Sequence, residues 1–119
     1  MLNSFAPGKV YIACGYTNLR RGIDGLTAIV EKQFCLNLYE DALFLFCGRR
    51  TDRIKGLYWD ENGFLLLYKR LEEGQFQWPR TEYEAQQITA QQYRWLTEGL
   101  KIDQPRANKP VDTKGLMYS

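Results

Sequence analysis

Arg49 and Arg50 stand side by side in the polar break Gly48-Arg49-Arg50-Thr51-Asp52, and Arg53 and Lys55 follow at alternate positions. Two adjacent guanidinium groups at a turn present planar forks that hold phosphate oxygens bidentately. The alternation of Arg53 and Lys55 around Ile54 puts both cations on one face of an extended segment. Tyr58, Trp59, Tyr68 and Trp78 come from the same stretch. Cations interleaved with aromatics are the makings of a nucleic-acid surface, by phosphate neutralisation and base stacking. The same residues also fit a solvated hairpin tip above an aromatic core, and their types alone do not choose between the two. Arg20-Arg21 is a second basic pair, at the expected start of a helix, where cations are mildly unfavourable. A salt bridge, to Asp24 or to a carboxylate of the run between Ala42 and Pro79, and a phosphate contact would each account for it.

Other chemistry finds little footing. The chain has no histidine, which removes Ser-His and Cys-His nucleophile systems and His-based zinc sites. Cys14, Cys35 and Cys47 match no CxxC-type spacing, and each reads as a buried reduced thiol. A metal-dependent nuclease needs about three convergent carboxylates, whereas Asp24, Asp41, Asp52, Asp60, Glu61, Glu72 and Glu73 fall mostly in turns, where carboxylates satisfy local amides. Asp52 and Asp60 are the pair that a catalytic reading would have to bring together. Gly-rich phosphate loops of the Walker or dinucleotide type are absent from the sequence. No catalytic residue, metal ligand or cofactor is expected.

The elements that must position the cations follow from the run between Ala42 and Pro79. Apolar stretches Ala42–Cys47, Arg53–Trp59, Phe64–Leu71 and Gln75–Trp78 are separated by clusters containing Gly48, Gly63 and Gly74, which reads as strands joined by hairpins. Gly63 and Gly74 stand where a positive φ is expected. The Phe64–Leu71 strand is apolar on both faces, so cover on both is expected. Lys9–Cys14 reads as a further strand. Leu19, Ile23, Leu26, Ile29, Val30 and Phe34 recur at helical spacing, with Gly22 and Gly25 weakening the first turns. Thr89 reads as the cap of a second helix, Ala90 to Leu100, with Gln92 in capping-box position.

The expected fold class is therefore α+β: an antiparallel β-meander of three to four strands plus an N-terminal strand, packed with an N-terminal helix and a C-terminal helix. At 119 residues, with 45% apolar and 14% aromatic content, the chain has the size and composition of one folded domain. Residues 1–101 are assigned to a single α+β domain and residues 102–119, polar and Pro-containing, to a flexible C-terminal tail. No apolar run approaches the roughly 18 residues of a membrane span, and the first residues lack the build of a signal peptide, so a cytoplasmic protein with no membrane partner is expected. The net charge of +2 is small, but it is distributed unevenly, with seven basic residues against five acidic between Gly48 and Arg80.

In their order, the segments Val10–Leu26, Phe44–Lys55, Leu57–Asp60, Gly63-Phe64, Tyr68–Glu72 and Phe76–Pro79 resemble the TnpB-type accessory proteins, encoded by the second open reading frame of insertion sequences of the sixty-six family. The resemblance spans about residues 9 to 101. It implies a protein encoded beside a larger transposase that assists transposition of the element, with no established catalytic mechanism to carry over. The partners it implies are the transposase of the same element and DNA at the element's ends. Arg20, Arg21, Arg49, Arg50, Arg53, Lys55, Lys69 and Arg70 are the residues expected to meet DNA, with a protein-interaction module that binds transposase alone as the alternative. The chain departs from the family's pattern between Cys35 and Asp41, where Pro and Gly are usual. It also carries Gln75 and Gln77 where basic residues are more typical.

Overall fold

A computed structural model describes residues 6–81 and 84–104. In chain order the elements are β1 (Lys9–Ala13), α1 (Ile23–Ala28, continuing as one π-helical turn over Ile29–Gln33), β2 (Ala42–Cys47), β3 (Arg53–Trp59), β4 (Phe64–Arg70), β5 (Ala85–Ile88) and α2 (Ala90–Thr97). Every residue of β2 is buried, as a continuous apolar run requires, and β2 is the centre of a five-stranded sheet ordered β4-β3-β2-β1-β5. The meander β2-β3-β4 is antiparallel, with Leu43 opposite Tyr58 and Arg53 opposite Arg70. β1 returns beside β2 in parallel through the α1 crossover, pairing Val10 with Leu43 and Ile12 with Leu45.

The two faces of the sheet are covered by different ends of the chain. Leu26, Ile29 and Val30 of the first helix pack with Leu38, Phe44, Phe46 and Leu57. On the other face, Tyr93 and Leu96 of α2 pack with Ile12, Leu43, Leu45 and Ile54. Both helices fall within the expected stretches, and α2 ends at Thr97, short of the expected Leu100. Thr89 caps α2 with the full capping box: its hydroxyl accepts from Gln92 N at 3.0 Å, and Gln92 Oε1 accepts from Thr89 N at 2.8 Å. α1 is shorter than the expected Leu19–Phe34 pattern. Its N-cap is Gly22 with no side-chain cap, and the wider turn is closed by Phe34 N donating to Ile29 O at 3.0 Å.

Several expectations are corrected. The fourth edge strand at Gln75–Trp78 does not form: this stretch is a strap whose Phe76 and Trp78 are buried in the α2-side core while Gln75 and Gln77 face out. Its alternation is that of a strand, yet its backbone bonds to a turn, Phe76 N donating to Thr51 O at 2.7 Å. The fifth strand is instead Ala85–Ile88, antiparallel to β1; only two of its four residues are apolar, too weak an alternation to announce it. β4, expected to be covered on both faces, is the outer strand, with Leu65 41% and Leu66 36% exposed. The positive φ expected at Gly63 is taken by Glu61 (φ 60°), while Gly74 (φ 87°) has it as foreseen.

Two of the three thiols, Cys14 and Cys47, are buried, whereas Cys35 is exposed. Ile102, placed in the tail by composition, is buried with Tyr93 and Leu96, and its carbonyl accepts from Gln92 Nε2 at 3.3 Å. The expected tail from 105 onward lies outside the described residues, as does the lead-in before residue 6. No helix among the described residues is long and apolar enough to cross a membrane.

Candidate nucleic-acid interface

Two loops meet at one end of the central strands. The first leaves β1 and is tied to the end of β2 by Thr17 N donating to Cys47 O at 2.8 Å. Asn18 Oδ1 accepts from Arg20 N at 3.0 Å, an Asx turn that sets Arg20 outward before α1 begins. Arg20 and Arg21 therefore precede the helix; they do not occupy its first turn. The second loop is the β2–β3 hairpin, closed by Gly48 N to Arg53 O at 3.3 Å and Thr51 N to Gly48 O at 3.0 Å. Thr51 takes a positive φ of 56°. A Cβ on Gly48 would lie 3.2 Å from Leu19 Cδ1, so glycine lets the two loops close on one another.

Between them lies a recess of about 710 Å³, lined by Arg20, Arg49, Arg50, Arg53, Lys55 and Tyr68 together with the Tyr16–Leu19 backbone turn. Five of the eight expected cations thus converge. Arg53 and Lys55 share a face of β3, and their cross-strand partners on β4 are Arg70 and Tyr68. Among the described residues Asp52 is the single carboxylate in ion-pair contact with this group: Arg53 Nε reaches Asp52 Oδ1 at 3.0 Å and Arg50 Nη2 reaches Oδ2 at 4.0 Å. The Arg53 hydrogen bond, aided by the charges of Arg53 and Arg50, holds the Asp52 carboxyl below the usual carboxylate range against the opposing effect of desolvation. Among the described residues Arg20, Arg49 and Lys55 make no ion pair. The Lys55 ammonium donates to Arg21 O at 3.3 Å, and the Arg50 side chain is 77% exposed.

The other three cations lie elsewhere. The Arg21 side chain runs back over Gly25, where an added Cβ would sit 3.0 Å from Arg21 Cβ. Arg70 is directly opposite Arg53, a like-charge pair that is unfavourable unless each finds an acid; Arg70 Nη2 pairs with Glu72 at 3.3 Å. Lys69, one residue along, is on the α2 face, and its Nζ donates to Thr97 O at 3.0 Å, an orphan carbonyl at the end of α2. Strand alternation decides this outcome, because successive residues of β4 face opposite sides of the sheet.

Of the aromatics expected beside the cations, only Tyr68 joins them; it is 52% exposed. Trp78 is core, its indole N–H donating to Ala13 O at 2.8 Å. Trp59 packs edge-on against Tyr39 and Phe64, with centroids 4.9 and 5.0 Å away. Tyr58 faces the opposite side and donates to Asp41. The contribution of Asn18 and its turn to the recess is not among the sequence expectations, although the Gly15–Asn18 turn signal was there to be used. Asp52 and Asp60 bracket β3, about 26 Å apart at the usual rise per strand residue, so they do not share a site.

The chain has relatives among known proteins. The chain is 35% identical over 106 residues to the uncharacterized protein y4hO of Sinorhizobium fredii (strain NBRC 101917 / NGR234), covering 89% of this chain and 92% of that protein. It is 32% identical over 103 residues to the uncharacterized protein y4jC of the same strain, covering 87% of each. No solved structure matches it. The family model described as IS66 Orf2 like protein matches residues 8–107, and with that coverage the chain belongs to the IS66 Orf2-like family of insertion-sequence proteins.

Proposed function

We propose that this chain is an accessory factor for transposition of its insertion sequence, acting in the cytoplasm, and that the recess between the Asn18 turn and the Arg49-Arg50 hairpin grips the phosphates of DNA at the element's ends. The observation that carries the reading is the convergence of Arg20, Arg49, Arg50, Arg53 and Lys55 on one recess, with Asp52 as their one paired acid among the described residues. Guanidinium groups held by backbone turns suit phosphate oxygens. Contacts of this kind position a protein on a duplex without reading its sequence. The bond-breaking steps belong to the separate transposase of the element, which is the second partner.

The test is binding of the full chain to terminal-repeat DNA across a salt series, compared with the Arg49→Ala/Arg50→Ala variant. The variant is expected to bind more weakly, with a log–log salt slope shallower by about 0.9 for each phosphate that it no longer neutralises. An unchanged affinity and slope would remove the recess from the interface. Retention of transposase fragments by a wild-type chain that ignores DNA would make transposase the direct partner.

A further inference from the structure

The cations of the recess line a hollow and are held against its walls. Arg53 and Arg50 lean on Asp52 at 3.0 and 4.0 Å, and the Lys55 ammonium rests on Arg21 O at 3.3 Å. The Asn18 turn and the Arg49-Arg50 hairpin bound the hollow and close on one another where Gly48 meets Leu19. Its volume of about 710 Å³ falls among sites that enclose a ligand of small-molecule size, which is the scale of one unit of a nucleic-acid strand.

Tyr68 says which state of DNA fits. Its ring is 52% exposed and lies beside Lys55 on the neighbouring strand. Other rings pack with one another, Tyr11 with Phe44 and Trp59 with Tyr39 and Phe64, whereas no ring among the described residues packs against Tyr68. Tyr16, from the loop that carries Asn18, is a second ring on the lining. An open ring beside phosphate-binding cations serves a base that has left its stack, because in a duplex the faces of each base are covered by its neighbours. Charge alone would rank the ligands the other way, since a duplex carries the denser array of phosphates. We infer, on the reading that the recess holds DNA, that its ligand is an unpaired strand at the element's end, with phosphates among Arg49, Arg50, Arg53 and Lys55 and a base stacked on Tyr68. The site then fills once the strands of the end have parted, and an intact duplex leaves the ring idle.

Fluorescence anisotropy of the full chain at one fixed salt concentration tests this with three probes. They are a single strand of the terminal repeat, the same sequence as a blunt duplex, and that duplex with a single-stranded overhang. The single strand and the overhang are expected to bind at least about tenfold more tightly than the blunt duplex, the order of one base stacked on a ring. Tyr68→Phe is expected to keep this preference and Tyr68→Ala to abolish it. Equal affinity for all three probes, or a preference for the blunt duplex, overturns the inference and leaves the recess as a grip on phosphates. A preference that survives Tyr68→Ala, or that is lost equally in Tyr68→Phe, overturns it as well, because the ring is then not what selects the strand. Absence of binding to any of the three overturns the DNA reading itself, and the inference with it.

Discussion

Lys55 and Tyr68 are direct partners across β3 and β4, and both side chains line the recess beneath the Arg49-Arg50 hairpin. They differ in what they can offer a polyanion, one a point charge and the other a neutral ring. Lys55→Ala is therefore expected to weaken DNA binding and flatten its salt slope by about 0.9, the change for one phosphate left to its counterions. Tyr68→Ala is expected to weaken binding at fixed salt while leaving the slope where it was. Equal slopes in the two variants and the wild type would mean that neither faces phosphate.

Lys69 supplies the internal control. It sits one residue from Tyr68 on the opposite face, with its ammonium on the Thr97 carbonyl at 3.0 Å. A cation on a helix C-terminus satisfies an orphan acceptor and the helix dipole together. Lys69→Ala is expected to leave DNA affinity unchanged and to lower thermal stability by about 1 kcal/mol, the usual size of such a hydrogen bond. Loss of DNA binding at unchanged melting temperature would place Lys69 in the interface instead.

Much of this arrangement is legible in the residues themselves, and the reasons for the misses are physical. The Thr89/Gln92 capping box, the apolar stripe of α1 and the three-strand meander depend on neighbours within a few positions, and those signals survive without coordinates. The strap at Gln75–Trp78 misleads because alternation reports which side chains are buried and not where the backbone bonds; Phe76 bonds to the Thr51 turn. β5 has almost no pattern because its place is fixed from outside, by the free edge of β1 and by α2 behind it. The convergence of Arg20 with Arg49 needs the long-range tie from Thr17 to Cys47, which no local rule supplies. Arg70 and Lys69 differ for a local reason, the period of two along a strand.

The cysteines give a chemical check on the packing. Burial, with some help from the Asp52 charge, pushes the Cys47 thiol up to about 12, and burial raises Cys14 as well. Thiolate is the nucleophile, so at about pH 8 only around one Cys47 in ten thousand is reactive even if reagent could enter. Cys35 is exposed. A thiol reagent is expected to modify one cysteine per native chain, at Cys35, and all three after denaturation. Rapid native labelling of Cys47 would show that the end of β2 and the hairpin beside it open far more readily than their hydrogen bonds imply.

Tyr58 and Asp41 give the fold a pH signature. The phenol donates to Asp41 Oδ1 at 2.6 Å, across from the end of β3 to the residue that precedes β2. This bond holds the Asp41 carboxyl below its ordinary value and, with desolvation and the Asp41 charge, pushes the Tyr58 phenol up to about 12. A depressed carboxyl contributes stability that is present above its unfolded value and lost as pH falls through the folded one. A raised phenol contributes stability that is present below its unfolded value and lost as pH rises toward about 12. Tyr58→Phe removes both contributions. Its melting temperature is expected to lie furthest below that of the wild type between about pH 5 and about pH 9, where both groups hold their bonded forms in the wild type. The gap is expected to narrow in strong acid and again in strong base. A gap that stays constant from acid to base would mean that the pair makes no contribution beyond the packing of the ring.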